Sequence, residues 1–117
     1  WLGKMSTDCL FCRIINKQIP ATIIYEDEKV LAFRDIAPQA PVHLLVIPKT
    51  HVSGLAELKD LALLPNLFRV IQQLAVSEKI EHTGYRVVVN QGHDAGQAVG
   101  HLHFHLLGGR QLQWPPG

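Results

Sequence analysis

One long stretch of this chain, residues 57–81, carries its apolar residues at three-and-four spacing, and it stands between two groups of short, strand-like runs. Leu64, Leu67, Phe68, Ile71, Leu74 and Ala75 fall on one side of a helix. Pro65 is tolerated only in a first helical turn, so the main helix is predicted to begin near Leu64 rather than at Glu57. Before it come ATIIYEDE (21–28), KVLAFRDI (29–36) and VHLLVIP (42–48); after it come YRVVVN (85–90) and HLHFHLLGG (101–109). The first two runs, joined at a short charged turn, read as a hairpin. APQAP, between the second and third, is a proline-stiffened loop. Strands and helices do not alternate, which argues against a doubly wound parallel sheet and for an α+β fold on a mainly antiparallel five-stranded sheet. A shorter helical pattern, CLFCRIINK, follows the N-cap candidates Ser6, Thr7 and Asp8. Leu10, Phe11 and Ile14 form its apolar stripe, and Cys9 and Cys12 share a face.

Composition then narrows the classes of function. A length of 117 residues suits a single domain, read as residues 6–117, with WLGKM before it as an expression leader ending in a start methionine, Met5. A net charge of +1 supplies no basic field for nonspecific nucleic-acid binding. No apolar run approaches the roughly 20 residues of a membrane span, and no secretory h-region is evident. A Cys-x-x-Cys pair without an export signal suits thiols in a reducing compartment, so a cytoplasmic protein is expected.

HLHFH (101–105) carries the chemistry. Side chains alternate along a strand, so His101, His103 and His105 share one face while Leu102, Phe104 and Leu106 face the core. The imidazoles would then point into a cleft or into water. A merely wet face needs no histidine. Three in register could fill three positions of a catalytic zinc site. Alternatively, one is a nucleophile that the others orient, neutral imidazole being a competent nucleophile near pH 7. The loop Gly92–Gly100 runs into this strand, and its glycines allow backbone N–H groups to converge on phosphate oxygens.

The run GQAVGHLHFHLL resembles the His-φ-His-φ-His-φ-φ signature of the histidine triad superfamily, φ being apolar. FRDIAPQAPVHLLVIPK (33–49), GYRVVVNQG (84–92) and LLGGRQLQWPPG (106–117) extend the resemblance over nearly all of residues 8–117, and the last is similar to the Hint branch of histidine triad nucleotide-binding proteins. The resemblance implies a purine nucleoside phosphoramidase. In it His103 attacks the α-phosphorus to form a nucleotidyl-histidine, His105 contacts the phosphate, and His43 and His101 complete the hydrogen-bond network. Asp35 would accept from both ribose hydroxyls, with Ile36, Leu10, Phe11, Ile14 and Phe33 at the base. Asn90, Gly96, Gln97 and Ala98 would form the phosphate loop. Ala98 stands where the family usually has a hydroxyl residue, and Gly100 where a bulky aromatic is common.

The same resemblance implies a structural zinc on Cys9, Cys12, His51 and His101, with no cofactor required for catalysis. It also implies a homodimer built through the long helix and YRVVVN, whose Trp114 tail reaches the partner's active site. Other readings are a dinucleoside polyphosphate hydrolase of the Fhit branch, against which the Trp-Pro-Pro-Gly ending speaks, and a nucleotide-binding or interaction module with weak catalysis. A zinc hydrolase using all three triad histidines is disfavoured, because the motif places no carboxylate general base.

Overall fold

The computed structural model describes residues 9–117; the cap candidates Ser6, Thr7 and Asp8 and the leader lie outside them. A short helix α1 (Leu10–Ile15) is followed by strands β1 (Ile23–Glu26), β2 (Val30–Arg34) and β3 (Val42–Pro48), helix α2 (Leu64–Ser77), and strands β4 (Tyr85–Val89) and β5 (Phe104–Gly108). The strands form one antiparallel sheet in the order β1-β2-β3-β5-β4. The expected α+β class and five strands are what the chain forms. Among the described residues no helix is long and apolar enough to cross a membrane.

Strand alternation divides the core in two. Val30, Ala32, Leu44, Val46, Phe104 and Leu106 point toward α2, where they pack with Leu67, Val70, Ile71, Leu74 and Ala75. Leu31, Phe33, Leu45 and Ile47 point the other way and are covered by Phe11 and Ile14 of α1. Neighbouring residues on β2 and β3 therefore serve opposite layers, and both strands are apolar almost throughout. α2 begins at Leu64 with Pro65 in its first turn, as the sequence predicts, and ends at Ser77. Its buried stripe differs in two places: Val70 is fully buried, whereas Phe68 is 44% exposed and only touches the edge of Phe104, with ring centroids 5.4 Å apart.

Three other expectations are corrected. Cys9 caps α1, its sulfur accepting the Cys12 N–H at 3.3 Å. On α1 Phe11, Cys12 and Ile14 are buried, while Leu10 is exposed. β5 begins at Phe104, so of the triad only His105 lies in the strand; His101 and His103 precede it in an irregular lead-in that starts with a bend at His101. Beyond Pro48 the neighbouring chain turns away, and the lead-in bonds instead to a loop, Leu102 N–H donating to Val52 O at 2.7 Å. The alternation nevertheless continues, with Leu102 in the α2 layer.

Candidate active site and metal cluster

The histidine face is neither wet nor open along its length. α1 lies across it: the Phe11 ring meets His101 and His103 edge-on, with centroids 5.9 and 5.1 Å away, and His101, His103 and His43 are buried. His103 Nδ1 lies 2.6 Å from the carbonyl oxygen of His101. A carbonyl only accepts, so Nδ1 carries the proton and Nε2 keeps its lone pair. His43 belongs to β3, which pairs with β5, and its Nε2 is 2.9 Å from His105 Nδ1. The placement of β3 beside the triad, on which any role for His43 depends, is therefore met.

Burial disfavours the cationic imidazoles. His105 is pushed down to about 4, by desolvation first and then by His103 and His43, with Asp35 opposing. His43 is lowered by burial, again against the Asp35 carboxylate. In ligand-free protein the His105 ring is expected to stay neutral from pH 8 to about 5, because its native value lies near 4. The unfolded ring protonates first, near 6.5, so this contribution to stability is full above that value and is lost as pH falls toward 4. An NMR titration checks it: a His105 midpoint at or above the ordinary histidine value contradicts the burial described.

Beside the imidazoles an apolar cavity of about 220 Å³ opens between α1 and the end of β2. Leu10, Phe11, Ile14, Phe33, Asp35 and Ile36 all line it, as the sequence suggests, and Ile36 is 96% exposed at its mouth. Ile19, Ala21, Leu45 and Val99 also line it, and sequence reasoning missed them. Only the apolar alternation of β3 pointed toward Leu45. The Asp35 carboxylate is partly engaged: Oδ1 accepts the Ala37 N–H at 2.8 Å, and Oδ2 lies 3.4 Å from His43 Nε2.

In the glycine loop, Gly96 adopts a left-handed conformation (φ 76°), which a Cβ would disfavour. Gln97 is engaged within the loop region: Oε1 accepts the Gly92 N–H, and Nε2 donates to Ser53 O and Val99 O. Its side chain thus sets the loop's shape, and the backbone closes it further, the Gly96 N–H donating to His93 O at 3.0 Å and the Gln97 N–H to Gly92 O at 3.1 Å. Asn90 borders a groove with Trp114, Arg86 and Val89 that also takes in Asp94 and Ala95 of the glycine loop.

Cys9, Cys12, His51 and His101 converge, their ligand atoms all within 4.8 Å of one another. Sulfur–nitrogen separations are 3.3, 3.3 and 3.6 Å, and His51 Nδ1 lies 3.1 Å from His101 Nδ1. A zinc tetrahedron with Zn–S of about 2.3 Å and Zn–N of about 2.05 Å has edges of about 3.6 and 3.3 Å, so the donor set fits. His101 Nε2 is 2.9 Å from Pro48 O, which places its proton there and turns the Nδ1 lone pair toward the cluster. Four protein ligands close such a site, and the chemistry a bound zinc would supply is cross-linking of α1 to the histidine face.

An antiparallel sheet sealed by helices on both faces, with a row of imidazoles beside an apolar slot, defines an α+β protein of the histidine triad type. A family model of the HIT domain matches residues 16–112, and the chain belongs to that family. It is 53% identical over 115 residues to an uncharacterized HIT-like protein of Synechococcus elongatus, covering 97% of this chain and 100% of the relative. It is also 53% identical over 112 residues to a 14 kDa zinc-binding protein of Zea mays, covering 92% and 87%. Among solved structures, a HIT family hydrolase from Legionella pneumophila superposes with a TM-score of 0.92 at 50% identity, covering 94% of this chain and 100% of that one. A histidine triad nucleotide-binding protein from Candida albicans superposes with a TM-score of 0.81 at 35% identity, covering 92% and 82%.

Proposed function

We propose that this protein is a nucleotide-binding hydrolase of the Hint branch, a cytoplasmic purine nucleoside phosphoramidase acting on AMP–amine or AMP–lysine P–N bonds. The observation that carries the reading is the bond from His103 Nδ1–H to the His101 carbonyl, which leaves Nε2 as a buried, oriented nucleophile. The Nε2 lone pair attacks the α-phosphorus and the P–N bond to the amine breaks. The amine departs with a proton from a neighbouring imidazolium, and water then cleaves the nucleotidyl-histidine to give AMP. Burial holds His105 neutral in the free protein, and an anionic phosphate beside it favours its cation. His43 and His101 orient their neighbours. Asp35 takes the ribose hydroxyls, Leu10, Phe11, Ile14, Phe33 and Ile36 hold the purine, and Asn90, Gly96, Gln97 and Ala98 form the phosphate end. The Legionella and Candida relatives, a hydrolase and a nucleotide-binding protein by name, support this reading. AMP release from adenosine 5′-phosphoramidate, set against release from diadenosine polyphosphates, tests it. Faster turnover of the P–N substrate is expected; preference for the polyphosphate would move the protein to the Fhit-type activity.

Ala98 lacks the hydroxyl usual in this family, and a missing hydrogen bond to phosphate costs about 1–3 kcal/mol. Ala98→Ser is therefore expected to raise turnover about tenfold, measured as kcat on the same substrate. No change, or a fall, would remove the hydroxyl from this enzyme's mechanism.

A homodimer completes the proposal. Trp114 is 78% exposed, with the Arg86 guanidinium 5.8 Å from its ring centroid, and Phe68, Val76, Tyr85 and Val87 leave apolar surface on α2 and β4. Sedimentation at micromolar concentration is expected to give a dimer that Trp114→Ala weakens. A monomer would break the proposed link between the tail and a partner's site.

A further inference from the structure

A chain of hydrogen bonds runs from the protein surface into the histidine face, and its direction is fixed at the outer end. The backbone N–H of Gln39, in the APQAP loop, donates to His43 Nδ1 at 3.0 Å. Nδ1 is therefore an acceptor, and the proton of a neutral His43 sits on Nε2. That nitrogen is 2.9 Å from His105 Nδ1 and 3.4 Å from the Asp35 carboxylate. Two N–H groups do not face each other at 2.9 Å, so His105 Nδ1 also accepts, and His105 carries its proton on Nε2. The loop thus decides which nitrogen of His105 can donate.

What fixes the loop is Arg110, seventy-one residues away in sequence. Its Nε and one terminal nitrogen both donate to the Gln39 carbonyl oxygen, at 3.0 and 2.9 Å, while the other terminal nitrogen donates to Gln111 O at 2.9 Å. Gly109, immediately before it, has φ 91°, and a Cβ there would meet Pro41 Cβ at 2.9 Å. Glycine at this position lets the exit of β5 press against the loop and brings Arg110 within reach of Gln39. The Gln39 side chain bonds only locally, Nε2 donating to Ala37 O at 3.0 Å, so in this chain of bonds the backbone N–H and C=O of Gln39 act and its side chain does not.

We infer that Arg110 is a positioning residue that, by clamping the backbone of Gln39 through its carbonyl, sets the tautomers of His43 and His105 so that His105 presents an Nε2–H donor. The value of that donor in catalysis rests on the reading in which His105 meets the substrate phosphate; the tautomer itself does not. The held carbonyl belongs to the Gln39–Ala40 peptide and the donating N–H to the Pro38–Gln39 peptide, so the clamp acts across the Cα of Gln39: two guanidinium N–H groups on the carbonyl restrict rotation of the residue's backbone and keep its N–H aimed at His43. Lysine can replace one of these bonds but not the fork.

Imidazole ¹⁵N and ¹³C spectra of histidine-labelled protein at pH 7.5, recorded beside steady-state kinetics on adenosine 5′-phosphoramidate, test the inference. In the wild type His105 is expected to show the Nε2–H tautomer alone. Arg110→Met should give a mixture of tautomers, with kcat down about tenfold and KM little changed, the low end of the losses seen when hydrogen-bond partners that orient metal-ligating histidines are removed. Arg110→Lys should fall between, and Gln39→Ala should match the wild type. An unchanged His105 tautomer in Arg110→Met would overturn the inference, as would a Gln39→Ala protein that behaves like Arg110→Met. A shifted tautomer with unchanged kcat would leave the positioning role standing and remove His105 from the catalytic reading. Arg110 is exposed, so the variants test the clamp and not the core.

Discussion

His103→Ala is expected to abolish AMP release from adenosine 5′-phosphoramidate, lowering kcat/KM by at least about 10³-fold, with AMP binding within a few-fold of the wild type. The proposed reaction needs a lone pair at one point, and the bond from His103 Nδ1 to the His101 carbonyl places it on Nε2. The other imidazoles are committed elsewhere: His101 faces the cysteines and Pro48 O, and His43 and His105 face each other. None of them is poised to substitute. His103 is buried against Phe11, so alanine also leaves a void. His103→Asn is the matched control, since its amide N–H can still reach the His101 carbonyl. Both variants should stay folded and inactive. Retention of a tenth or more of wild-type turnover in either would exclude His103 as the nucleophile.

The second large effect concerns the metal. Protein purified without chelator is expected to carry one zinc per chain, and stripping it should lower the melting temperature by roughly 15 °C. This follows from about 4 kcal/mol of linkage when free metal stands a thousandfold above Kd, and from the size of a domain of this length. The cluster joins Cys9 and Cys12 of the α1 segment to His51 and His101, elements far apart in sequence, and α1 is otherwise held in the second core layer by Phe11 and Ile14, with Ile15 packed beside them. Loss of zinc should therefore loosen α1 first and leave the α2 layer intact. Cys12→Ser should behave like the stripped protein. Metal content well below one per chain, or a melting temperature indifferent to chelator, would show that the donors are placed but unused.

Much of this arrangement was legible in the sequence for specific physical reasons. β3 and α2 announce themselves through apolar period and through Pro65, and the structure starts both where the sequence does. The alternation in HLHFHLL separates imidazoles from core residues correctly even where no ladder forms. The ladder's start was not legible, because it depends on where the neighbouring chain turns away after Pro48. Cys9 as a cap was hidden as well, since sulfur is a weak acceptor and better caps precede it. Leu10 on α1 and Phe68 on α2 are exposed, and Val70 is buried, against expectation, because the choice between nearby helical positions is made by the sheet each helix meets. The slot residues Ile19, Ala21 and Leu45 come from segments that meet only in three dimensions. The clamp of Arg110 on Gln39 is the extreme case, because its acting groups on the loop are backbone atoms and carry no sequence signature.

A covalent nucleotidyl-histidine at one ring is the central step of the proposed reaction. Turnover of adenosine 5′-phosphoramidate, quenched in alkaline denaturant and followed by peptide mass mapping, reads it directly. An AMP adduct on His103, absent from His103→Ala, is the predicted result. Rapid hydrolysis with no adduct, or an adduct on His105 or another residue, would contradict it.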